Sequence, residues 1–464
     1  MKGTSLTHIK HLYWRAGFGI SPDEANKLTE LSLDPIVDRL FECPYPENLH
    51  IVDKDTVPEG IKMMPAIERK TIQKERREYG EMLNAYWLEQ LAATRNPLLE
   101  KITLFWHGHF ACRIENIYAI QELNNIQRKY ALGPFKDLLM AVSKNSVMLQ
   151  FLNNQQNKKS HPNENFAREL MELFTLGHGN YSEQDVKESA RAFTGWGFDR
   201  ETLDFVFRVK QHDYEDKIVF GKTGNFDGED IIDLILANRL TAYFICRKIY
   251  KYFVNDNPDE IIIEELADGY RANNYNTESL LKTIFKSKWF YDEKNIGAKI
   301  KSPVEFITGL TRTFKINYND KKVLLQMQRG LGQILFYPPN VAGWAGGRNW
   351  IDSSTIMLRL KLPSLLLSGG VIDFDFQSDD PDAFKMMEMH NRQREKVREK
   401  ANTTIDWKIA LSMFPENATR DEVMNAILQP ALSQVQKDKL YELNESTLQK
   451  LLIQLVSMPE YQMC

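Results

Sequence analysis

The chain has 464 residues, 43% of them hydrophobic and 26% charged, with a formal net charge of -4 and an isoelectric point near 6.2. That length is ample for a large core, and the mild acidity argues against a protein whose main work is neutralising phosphates, so nucleic acid is not an expected partner. No apolar run approaches the ~20 residues of a membrane span.

The four cysteines, Cys43, Cys112, Cys246 and Cys464, show no CxxC spacing and read as free thiols. The opening MKGTSLTHIK carries no apolar signal core, so the expected compartment is the cytoplasm, or the exterior if a leader has been removed. Ser21-Pro22-Asp23-Glu24 has the grammar of a helix start, and Ser302-Pro303-Val304-Glu305 repeats it. A short helix is expected from Asp34-Pro35, an irregular Pro-rich piece from Cys43 to Pro65, and a long helix from Ala66 to Asn96 whose ERKTIQKERRE run is a solvated face. Pro97 begins a helix striped by Leu98, Ile102, Phe105 and His109, and helices follow at Asn116 to Leu132, Pro134 to Lys144 and Ser146 to Asn153.

The stretch from His161 to Trp196 holds two helices around the Gly-rich turn Leu176-Gly177-His178-Gly179-Asn180. On a helix from Glu164 to Leu176, Phe166, Leu170, Leu173 and Phe174 share one face and Arg168 and Glu172 the other. Glu169 falls between Leu173 and Leu176 at the margin of the apolar arc, where burial without a partner is costly. It is expected to face His109 or Arg191. Alternation at Phe205, Phe207 and Val209, followed by Ile218-Val219-Phe220, predicts a single β-hairpin near 203-220 with His212 and Asp213 at its turn. Helices resume at Asp227 to Leu236, Thr241 to Phe253, Glu260 to Ala272, Glu278 to Phe290 and Pro303 to Phe314. Phe336 to Trp350 is an ordered loop, Ser368 to Asp380 an acidic stretch and Phe384 to Ala401 a charged helix. The expected fold is therefore all-α with one small hairpin. Its domains are a main helical body over 1-365, a charged surface excursion over 366-403 and a small C-terminal helical piece over 404-464.

Neither HExxH, GxSxG, a Walker loop nor GxGxxG occurs, which removes the commonest enzyme signatures. His107 and His109 lie two apart and point ~200° apart on a regular helix, so they can share a divalent metal only if Gly108 breaks it, with His212 as a further ligand. His109, on the apolar stripe, is either a hydrogen-bonded interior histidine or a general acid or base. Arg168, Glu169 and Asp213 are its candidate catalytic partners, or else parts of structural ion pairs. Trp344, Arg348 and Trp350, with Arg191, are candidate groups for a glycan, peptide or other small ligand, although such tryptophans also plug loops onto cores.

The stretches HLYWRAGFGISPDE, FWHGHF, NENFARELMELFTLG, DVKESARAFTGW, HDYEDKIVFGKTGNFDGEDIIDLIL, TAYFICRKIYKYFV and NVAGWAGGRNW together resemble the bacterial family catalogued as domain of unknown function 1800. The resemblance spans nearly the whole chain. It implies a mostly helical fold, places a family histidine at His161, and finds His178 where the family turn usually continues with an aliphatic residue. It implies no established activity. Two functional readings remain side by side, a hydrolase-type enzyme, metal-dependent or not, and a non-catalytic glycan- or peptide-binding protein.

Overall fold

The computed structural model describes residues 3–42, 48–54, 65–374, 397–400, 402–442 and 447–464, with only the backbone of 371–374 and 397–400. Most expected helices form, and their ends follow the capping residues. Asn116 accepts the Ala119 N–H at the start of Ile117–Tyr130, Asp227 caps Gly228–Ala237 in a closed box with Asp230, and Ser302 does the same with Glu305 for Pro303–Phe314. Prolines sit at the first turn of Pro22–Leu28 and of Pro97–His109, where a missing N–H costs nothing. Helices Leu6–Arg15, Lys322–Leu331 and Ser353–Ser368 add to those expected.

One hydrophobic cluster runs from Ile9 and Leu12 through Trp87, Trp106, Phe166 and Ile249 to Leu452 and Tyr461. The C-terminal helices belong to it: Leu448–Val456 packs on Ser353–Ser368, and the Lys10 ammonium, on the first helix, donates to the Asn425 and Leu428 carbonyls.

Two expectations need correction. The single hairpin gives way to two: Trp196–Phe198 pairs with Phe205–Phe207, and Lys217–Val219 with Lys222–Gly224. The Phe205 and Ile218 segments do not pair with each other, because the Glu188 and Asp185 carboxylates accept the Ile218 and Phe220 N–H groups and hold the second ribbon on the Glu183–Ala192 helix. Further short ribbons join Asn317–Tyr318 to Thr403–Thr404 and Val371–Phe374 to Val397–Lys400. The second of these occupies the end of the expected 384–401 helix, the rest of which lies outside the described residues apart from 397–400, as does most of the Pro-rich piece including Cys43.

Candidate functional site

The Pro97–His109 helix runs unbroken through Gly108 and carries its two histidines to opposite destinations. His107 accepts the Phe336 N–H at 3.1 Å and lies between the Trp87, Phe336 and Trp344 rings. Burial lowers it to a pKa of about 3. Phe336 holds a left-handed φ of 68°, a strained state for an aromatic residue that the His107 bond and the surrounding rings maintain. Close by, Gly343 at φ 78° is needed because any Cβ there would strike the Gly108 carbonyl. The glycine-rich loop is thus seated on the end of the histidine helix.

His109 turns the other way, towards the central stretch. The helix expected over Glu164 to Leu176 is α-helical only over Asn165–Glu169 and continues as a π-helix over Leu170–Thr175. The Thr175 hydroxyl takes the Leu170 carbonyl at 2.6 Å, and the Leu176 and Gly177 N–H groups both reach Met171, which displaces the ladder by a residue. The Leu173 and Phe174 carbonyls at its end are left without intrahelical partners. The Lys248 ammonium donates to Leu173 O and to His109 Nδ1, both at 3.1 Å, and His109 Nε2–H donates to Phe174 O at 3.0 Å. These partners fix the imidazole as the neutral Nε2–H tautomer, since Nδ1 must accept from the ammonium. Burial, reinforced by the Lys248 charge and only partly offset by the Phe174 bond, holds His109 well below its ordinary range. Burial also brings half-buried Lys248 down to about 8.

The other expected site residues fall in separate places. Arg168 makes a two-point contact with Glu183 at 2.8 and 2.7 Å and a third with Glu164 at 3.0 Å, on the outer face. Glu169, half-buried, bonds to no described residue, and burial together with Glu172 keeps its carboxyl above the usual range against the pull of Arg168. It meets neither His109 nor Arg191 in a hydrogen bond or ion pair. Its neighbour Glu172 is the partnered one, accepting from the Tyr181 hydroxyl and lying 3.4 Å from His178 Nδ1.

Arg191 and Asp213 meet in a third place, paired through two bonds of 2.8 and 3.2 Å, with Glu188 and Glu215 completing the guanidinium's shell. Burial would raise the Asp213 carboxyl, but the Arg191 fork and the Glu215 N–H override it and keep it low. His212 is buried beside them, with Nδ1 2.8 Å from Thr194 O, between the Phe207 and Tyr214 rings. His107, His109 and His212 therefore do not converge, and among the described residues no group of three or more His, Cys, Asp or Glu side chains is placed to hold a metal. In the loop, Trp350 is buried, Trp344 is half-buried with its ring 5.6 Å from that of His107, and Arg348 is exposed.

The family model described as a protein of unknown function, DUF1800, matches residues 11–463. The chain belongs to this family. No curated protein and no solved structure matches it. Among the described residues of this DUF1800 protein, no helix is long and apolar enough to cross a membrane.

Sequence reasoning missed Lys248, although a signal was there. Lys248 follows Phe244 and Ile245 at four and three residues and precedes Tyr252 by four, so it stands at the margin of an apolar arc as Glu169 does. It also missed Glu100, whose buried carboxylate binds Arg128 Nε and Nη2 at 3.2 and 2.9 Å and the Trp87 indole at 2.9 Å. That pair is fully satisfied and fastens helices together.

Proposed function

We propose that this DUF1800 protein is a hydrolase-type enzyme whose proton-handling group is Lys248, held by His109 at the end of the π-helix. The observation that carries this reading is a half-buried amine with a pKa of about 8, bound to a neutral imidazole and an unpaired backbone carbonyl. A lysine so lowered exists partly as the free amine near neutral pH, so it can take a proton from an attacking water and return it to a leaving group. His109 then acts as a positioning residue, because its Nδ1 lone pair fixes the amine while its own proton stays on Nε2, donated to Phe174 O. A π-turn commonly marks a functional position, since irregular helix has to be stabilised by surrounding contacts. Glu169, which bonds to no described residue and lies about one turn before the two carbonyls, is the available polar group for orienting a substrate.

The test is a panel of p-nitrophenyl acetate, phosphate and glycoside hydrolyses with the unaltered protein, Lys248→Met and Lys248→Arg. Activity on one of these substrate classes that both substitutions abolish, and that rises through pH 8 in the unaltered protein, supports the reading. Activity unchanged in Lys248→Met overturns it.

The binding reading keeps one specific support, a half-buried Trp344 and an exposed Arg348 in the same glycine-rich loop. Quenching of tryptophan fluorescence by soluble oligosaccharides, lost in Trp344→Ala, is the result that would favour it.

A further inference from the structure

Four cationic side chains are sunk where the Leu6–Arg15, Pro97–His109, Pro303–Phe314 and Ser353–Ser368 helices meet the C-terminal segment. Arg15, Lys101, Lys301 and Arg359 are each no more than 1% exposed. Among the described residues, the buried carboxylate facing them is Glu305, and it is taken by the Lys101 ammonium. Lys301 rests between the Trp14 and Tyr461 rings, 3.6 and 3.8 Å from their centroids, and donates to Tyr461 O. Arg15 donates to Asn295 O at 2.7 Å. Arg15 also reaches the buried Cys464 Sγ at 3.9 Å, and burial draws Lys301 down to about 7, yet positive charge still exceeds negative in this buried layer, a costly state unless something compensates it.

Arg359 shows where compensation is lacking. Its Nη1 is committed to Lys301 O at 3.1 Å and Gln462 Oε1 at 3.2 Å, and its plane lies over Phe306. Among the described residues its Nε and Nη2 have no partner, and neither does the Nε2 of Gln462. Nε–H and Nη2–H point the same way along one edge of a guanidinium, the fork by which arginine receives anions. The two Nη1 bonds prevent the group from turning that edge elsewhere. The nearest acidic side chain on its own helix, Asp352, is spent on the Ser354 and Thr355 N–H groups of the helix start.

We propose that the free Nε and Nη2 edge of Arg359 is a buried binding site for a small inorganic anion of the size of chloride. The site is separate from Lys248 and does not rest on its role. An anion there would answer the Nε and Nη2 N–H groups of Arg359 together and offset its charge. Thermal melts at constant ionic strength, with chloride replacing gluconate from about 1 to 200 mM, read it directly, because a bound ion stabilises by mass action. The expected result is a rise of about 3 °C or more in the unaltered protein and none in Arg359→Gln. No chloride-specific rise, or an equal rise in both proteins, overturns the proposal. Should Arg359→Gln fail to fold, bromide in crystals of the unaltered protein decides: an anomalous peak at the Nε and Nη2 edge supports the site, and water alone there overturns it.

Discussion

The ribbon-bearing knot around Arg191 and the interior pair of His109 and Lys248 both bring ionisable groups within hydrogen-bond distance, yet they solve the cost of charge in opposite ways. In the knot, a guanidinium 22% exposed is surrounded by Glu188, Asp213 and Glu215, so each charge meets its opposite with solvent at hand. In the interior, no carboxylate of the described residues bonds to Lys248 or His109; neutral backbone carbonyls and a neutral imidazole accept the hydrogen bonds. The first arrangement leaves its groups firmly charged. The second draws both pKa values down, which makes a lysine useful near pH 7 and makes the folded state sensitive to acid.

The largest consequence concerns acid. His11, His107 and His109 are buried and held below 6.5, so the unfolded chain binds three more protons than the folded one once pH drops beneath that value. Folding stability is fully present about a unit above pH 6.5 and is lost as pH falls through it, the slope approaching about 4 kcal/mol per pH unit about one unit below, three protons at about 1.4 each. Melts at pH 6, 5 and 4 check this. A decline that begins only below 4.5, where carboxylates titrate, would remove the interior histidines from the account.

Substitution within the interior pair separates structure from function. His109→Ala opens a gap among Phe105, Trp106, Phe110 and Phe174 and strands Phe174 O, and is expected to cost about 3 kcal/mol. Lys248→Met replaces a desolvated cation by a side chain of similar length and should change stability by less than about 1 kcal/mol in either direction. If chemical denaturation shows both to be equally damaging, Lys248 is only a helix cap.

In the knot, Arg191→Met strands Asp213 and Glu188 and should cost about 1–2 kcal/mol, an effect that added salt diminishes because the cluster is partly exposed. The smallest contrast lies on the central helix. Glu169→Gln removes an unpaired carboxyl and should leave the melting temperature unchanged or slightly raised, whereas Glu172→Gln weakens the Tyr181 contact and should lower it by about 0.5–1 kcal/mol equivalent. A Glu169 variant that melts below the Glu172 variant would reveal a partner that the geometry does not provide.

The two regions also differed in how legible they were. Helices with Ser, Asp or Asn caps and prolines at their starts could be read from local chemistry, because the signal and the structure involve the same few residues. Placing Glu169 by a uniform ~100° turn failed to anticipate the π-helix, because Thr175 and the Met171 carbonyl alter the ladder through bonds that periodicity does not encode. The hairpin pairing was misjudged for a related reason: Phe205 and Ile218 alternate as strands do, but their partners are chosen by Asp185 and Glu188 on a preceding helix. His109 was identified as inward-facing from its place on the apolar stripe. Lys248 and Phe174 O, 139 and 65 residues away, could not be attached to it without the fold.

The central claim is that burial draws the Lys248 ammonium down far enough to be partly deprotonated near neutral pH, and titration of the protein labelled with carbon-13 at the lysine Cε measures that directly. The Lys248 resonance, assigned by its loss in Lys248→Met, should titrate with a midpoint of about 8, well below the 10.5 of an ordinary lysine. A midpoint at or above 10 would contradict the account, leaving the contact with His109 as a charged cap on an irregular helix.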